Sequence, residues 1–122
     1  MNNILVIDDE QMILRMAGFM LKKAGYSSLT AESGAEGISL MREQMPAAVL
    51  IDNEMPGMSG LEVLEAVKSD SALAGIPVCI MTGTLTEELK EKAVSLGAIG
   101  CISKPLKAPE VMDMLEKAKN GG

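Results

Sequence analysis

The sequence predicts an α/β domain: a parallel sheet of five strands, covered by helices on both faces. Three observations carry this. Short apolar runs alternate with amphipathic stretches five times along the chain. The third and fourth runs, "AAVLI" (47–51) and "IPVCIM" (76–81), are continuous rather than alternating, as in strands buried on both faces. Two Ser-x-x-Glu motifs mark helix starts shortly after apolar runs end.

Taken in order, "NILVI" (3–7) reads as the first strand, followed by "DDE". Ile13, Met16, Ala17, Met20, Leu21 and Ala24 then recur at helical spacing over 11–24, and Gly25 ends the helix. "SSLTA" (27–31) is a weak strand. Ser33 with Glu36 forms a capping box that opens a helix to about Gln44. The strand at 47–51 follows, then a second capping box, Ser59 with Glu62, and a helix to about Ser69. The strand at 76–81 precedes a helix from Glu87 to Leu96, stopped by Gly97. "IGCI" (99–102) is the last strand, and Pro109 opens the last helix, which runs to about Lys119. No linker, low-complexity segment or repeat interrupts the pattern, so residues 1–122 read as one domain with "NGG" as a frayed tail.

Composition excludes several classes of function. The net charge is −6, which argues against direct nucleic-acid binding. No apolar run approaches the ~20 residues needed to span a bilayer. The run at 4–7 is too short, and lacks the basic flank, for a signal peptide, so a cytoplasmic location is expected. There is no His and no CxxC pair. That removes the usual zinc sites, Ser-His-Asp catalysis and phosphohistidine on this chain. Cys79 and Cys101 lie in apolar runs and read as free buried thiols. The eleven Met read as filler for a core nearly devoid of aromatics.

Four of the five strands end in polar groups. Asp8 and Asp9 follow the first strand and Asp52 the third. Thr82 and Gly83 follow the fourth; Ser103, Lys104 and Pro105 follow the fifth. Open α/β sheets bind ligands beyond the carboxyl ends of their strands, where strand order reverses. Three gathered carboxylates repel one another and need a cation. All-oxygen ligands favour a hard ion, Mg2+ before Ca2+, with Mn2+ as a substitute. Lys104 offers a point charge for a phosphoryl group, and Thr82 a hydroxyl donor. The set suits phosphoryl transfer with a carboxylate nucleophile, and Asp52 on the central strand is the candidate.

These residues resemble those of response-regulator receiver domains, the phospho-acceptor modules of bacterial two-component signalling. The matching stretches are "ILVIDDE" (4–10), "GYSSLTAESGAEGI" (25–38), "VLIDNEMPGMSGLEVL" (49–64), "IPVCIMTG" (76–83) and "GAIGCISKPL" (97–106). The resemblance implies a flavodoxin-like three-layer (βα)5 sandwich with strand order 2-1-3-4-5. It implies that Asp52 accepts a phosphoryl group from a histidine kinase or a histidine phosphotransfer protein. Asp9 and Asp52 would ligate Mg2+ directly, Asp8 partly through water, and the Glu54 carbonyl would complete the protein ligands. Thr82 and Lys104 would each hold a phosphoryl oxygen, assisted by backbone amides near Asn53 and Gly83. Lys104-Pro105 resembles the family's cis peptide. The face of helix 4, strand 5 and helix 5 would bind the downstream partner, while Met12, Arg15 and Met16 on helix 1 would face the kinase. Such a chain is a switch that catalyses only its own phosphorylation and dephosphorylation.

Two positions depart from the family pattern. Cys101 stands where a Tyr or Phe usually swings inward with the Thr. Glu54 stands where Asn is common, and its side chain is expected near the metal and the incoming water, making dephosphorylation slower or metal-sensitive. Two other readings compete. A haloacid-dehalogenase-like phosphatase would use Asp8 as nucleophile, but it needs a second Asp at the position of Glu10. A binding module that no longer cycles phosphate would not need Asp8, Asp9, Asp52, Thr82 and Lys104 together.

Overall fold

The computed structural model describes residues 3–120; of the expected frayed tail, Gly121 and Gly122 lie outside the described residues. Five strands and five helices alternate: β1 (Asn3–Ile7), α1 (Gln11–Lys23), β2 (Ser27–Ala31), α2 (Gly34–Gln44), β3 (Ala48–Asp52), α3 (Gly60–Lys68), β4 (Val78–Thr82), α4 (Glu87–Ser95), β5 (Gly100–Ser103) and α5 (Ala108–Lys119). All strand pairs are parallel, in the order β2-β1-β3-β4-β5. This is the flavodoxin-like architecture expected from the sequence.

Alternation along the buried strands divides the core into two layers. Leu5, Ile7, Val49, Ile51, Val78 and Ile80 face α2, α3 and α4, where they meet Met41, Val63, Leu64, Val67 and Ala93. Ile4, Val6, Leu50, Cys79 and Met81 face α1 and α5, against Leu14, Ala17, Leu21, Val111, Met114 and Leu115. β2 lies at the sheet edge and is mostly exposed, which is why its sequence is weakly apolar. The thiols of Cys79 and Cys101 are free and buried, and burial pushes that of Cys79 up to about 12. Met41, Met55, Met81 and Met114 fill the core, whereas Met12 and Met45 are exposed. Among the described residues no helix is long and apolar enough to cross a membrane.

The later strands start later than the apolar runs suggest. Ile76 spends its N–H on the Leu73 carbonyl in a turn, and Pro77 has none to give, so β4 begins at Val78. The same three strands also end one residue later than the apolar runs, at Asp52, Thr82 and Ser103. Asp52 pairs in register with Met81, and Thr82 with Ser103, so their side chains reach one edge on rigid backbone. The Ser59–Glu62 capping box is complete. The box at Ser33 is only half formed: Ser33 accepts from the Glu36 amide, but the Glu36 carboxylate turns to the Glu32 amide instead.

Gly60 fixes how closely α3 approaches the end of β3. A Cβ there would sit 2.8 Å from the Asp52 carbonyl oxygen and 3.0 Å from the Asn53 Cα. Neither backbone atom can move without shifting the site. Gly75 has nothing within 4 Å of its Cβ position. Gly60→Ala should therefore cost about 1–3 kcal/mol, read as a melting temperature several degrees lower, while Gly75→Ala leaves it nearly unchanged. Equal melting temperatures for the two variants would contradict this packing.

Candidate functional site

The carboxyl edge of the sheet gathers the polar residues singled out in the sequence. Ligand oxygens of Asp8, Asp9 and Asp52 lie within 4.8 Å of one another. Asp8 is fully buried and Asp52 is 1% exposed, whereas Asp9 is open to solvent. β1 delivers Asp8 and Asp9 just beyond its last residue, and β3 delivers Asp52 from its neighbour. Two turn amides meet these carboxylates: Glu10 N–H donates to Asp8 Oδ1 (3.0 Å) and Glu54 N–H to Asp52 Oδ1 (3.2 Å).

Lys104 is the counter-charge. Its Nζ lies 2.9 Å from Asp8 Oδ2, 3.1 Å from Asp52 Oδ1 and 3.4 Å from Glu10 Oε1. Burial alone would lower the lysine's pKa, but its bonds to Asp8 and Asp52 carry it above the ordinary lysine range. The lysine therefore stays charged. Burial dominates at Asp8 and raises its carboxyl above the usual value, against the pull of the Glu10 amide and Lys104. Among the described residues, the buried Asp8 Oδ2 has the Lys104 ammonium as its partner and no other donor. Three carboxylates thus face one ammonium. That donor set fits a hard divalent cation. The Lys104–Pro105 peptide is cis, and Lys104 N–H bonds the Thr82 carbonyl (2.8 Å), tying β5 to β4 beside the acids.

Thr82 sits at the end of β4, 1% exposed. Its hydroxyl donates to Glu54 Oε2 (2.5 Å), and the Gly83 N–H donates to Glu54 Oε1 (2.9 Å). The carboxylate thus reaches the β4–α4 loop, onto the hydroxyl and the amide expected to hold phosphoryl oxygens. The Asn53 amide differs from expectation. It is committed to the Met81 carbonyl (2.9 Å), and the Asn53 side chain accepts from Leu61 N–H (3.2 Å). The amide turned toward Asp52 is that of Glu54. Glu10, not among the expected site residues, joins the Lys104 cluster. Its place directly after Asp8-Asp9 was the available signal.

Cys101 lies at the middle of β5, beside Ile80, and helps to line a cavity of about 260 Å3 with Leu85, Lys90, Asp113 and Lys117. Burial first, and the Glu54 charge second, hold its thiol above the ordinary value. On α1, Met12 and Arg15 are exposed and Met16 is half-buried.

A family model for the response regulator receiver domain matches residues 4–116. The polar-differentiation response regulator DivK of Brucella ovis is 28% identical, over 93% of each chain. Among solved structures, the Vibrio cholerae chemotaxis protein CheY4 superposes with a TM-score of 0.89 at 28% identity, covering 97% of this chain and 98% of its own. A receiver domain protein of Clostridium thermocellum gives 0.89 at 32% identity, covering 98% and 95%. With its order of strands, its acid cluster and a family match over nearly the whole chain, the protein belongs to the response-regulator receiver-domain family.

Proposed function

We propose that this receiver domain is a single phospho-acceptor unit whose Asp52 takes a phosphoryl group from a phosphohistidine on a sensor kinase or phosphotransfer protein. The observation that carries the reading is the position of Asp52: a buried carboxylate at the end of the central strand, 3.1 Å from the Lys104 ammonium and beside two further acids. In the transfer, an Asp52 oxygen forms a bond to phosphorus as the donor's N–P bond breaks, and the leaving nitrogen keeps the electron pair. Lys104 balances the charge that gathers on the phosphoryl oxygens. The Thr82 hydroxyl and the amides of Gly83 and Glu54 are the donors for those oxygens.

Asp8, Asp9 and Asp52, with the Glu54 carbonyl, would hold Mg2+. When bound, the ion offsets the mutual repulsion of the carboxylates and of the incoming phosphoryl group. The kinase side is assigned to α1, with Met12, Arg15 and Met16. The output is assigned to the α4–β5–α5 face, where Val94 is 55% exposed and Cys101 helps to line the groove in place of a bulky aromatic.

A small-molecule phosphodonor such as acetyl phosphate, with Mg2+, should give one hydroxylamine-sensitive acyl phosphate per chain. Asp52→Asn should abolish it, EDTA should prevent it, and Lys104→Ala should slow it at least tenfold. Undiminished labelling of Asp52→Asn would favour a nucleophile at Asp8 and overturn the assignment. Asp52→Asn should also melt at a higher temperature than wild type in EDTA, because one of the clustered charges is gone. Mg2+ should then raise the melting temperature of wild type more than that of the variant. An equal rise in both would remove Asp52 from the metal ligands.

A further inference from the structure

The Glu54 carboxylate has the contacts that a phosphoryl group would want. Its two oxygens accept separately from the Thr82 hydroxyl and the Gly83 amide, while its own backbone amide donates to Asp52. It links the β3–α3 turn to the β4–α4 loop across the mouth of the site. Thr82 is buried, and its hydroxyl also accepts from the Thr84 amide (3.1 Å), so this donor has a fixed position. Glu54 itself is exposed and can swing into water without being trapped in the core.

We propose that Glu54 is an internal phosphoryl mimic: it holds the Thr82 hydroxyl and the Gly83 amide in the resting state and must be expelled before a phosphoryl group on Asp52 can take them. This rests on the reading of Asp52 as phospho-acceptor. A carboxylate carries one negative charge and a phosphoryl group nearly two, so both cannot share the same two donors at contact distance. The hydroxyl has one proton, which faces Glu54 Oε2 at 2.5 Å and the Thr84 carbonyl at 3.3 Å, so a phosphoryl oxygen that takes it must displace the shorter bond to Glu54. Expulsion frees Thr82 and the Gly83 loop at the same moment. Where the family has a bulky aromatic to report the movement of the Thr, this chain has Cys101. Release of the Glu54 bridge gives the β4–α4 loop, and the α4 that follows it, a two-state constraint that does not need the aromatic.

The test is 15N NMR on the full chain, with beryllofluoride plus Mg2+ as the phosphoryl probe, comparing wild type, Glu54→Ala and Glu54→Gln. Glu10→Gln serves as a charge control, since Glu10 neighbours Lys104 but touches neither donor. Before the probe is added, the Gly83 amide proton should resonate downfield in wild type and move upfield in Glu54→Ala. Beryllofluoride should bind Glu54→Ala about tenfold more tightly, equivalent to about 1.4 kcal/mol, with a smaller gain for Glu54→Gln. The Gly83 resonances of wild type and Glu54→Ala should then converge. An unmoved Gly83 amide, or an equal gain from Glu10→Gln, would overturn the mimic while leaving Asp52 as acceptor. Failure of every chain, wild type included, to bind the probe would overturn both.

Discussion

Two carboxylates are taken out of water at the carboxyl ends of adjacent strands, and the site is organised around that fact. Asp8 and Asp52 are almost fully buried, and among the described residues only Lys104 brings positive charge to them. Buried charge is tolerable only when paired. One lysine cannot balance three acids, so the site keeps an electrostatic deficit. That deficit suits the cation and the phosphoryl chemistry proposed for the site. The fold supplies the rigidity that keeps it from relaxing: parallel register fixes Asp52 and Thr82, and Gly60 holds α3 against the β3 terminus.

The architecture follows from burial. β3 and β4 are covered on both faces, so their sequences are continuously apolar and the central strands are evident from the sequence alone. The same pattern leaves few places for polar side chains except strand ends. The site thus lies at a sheet edge that can display chemistry without opening the core.

Most of the fold and the identity of the clustered acids were legible in the sequence, because periodicity and strand-end position are linear properties. Ser59 with Glu62 formed the full capping box that the spacing announces. Ser33 with Glu36 did not, since the Glu36 carboxylate had a competing amide at Glu32. Glu54 shows the limit more sharply. Its spacing from Asp52 gives its distance along the chain, but not which of several donors its side chain will meet. That depends on the β4–α4 loop, 28 residues away at Thr82. The Asn53 amide was misplaced for a related reason: the extra residue of β3 pairing commits it to Met81. Sheet register, not local sequence, decides such bonds.

The central claim is that Asp52 is the carboxylate that carries the phosphoryl group. Borohydride reduction of the phosphorylated chain converts an acyl-phosphorylated aspartate to homoserine, and peptide mass spectrometry then locates it. The account predicts homoserine at position 52 and intact aspartate at positions 8 and 9. Homoserine at position 8, with aspartate retained at 52, would contradict it.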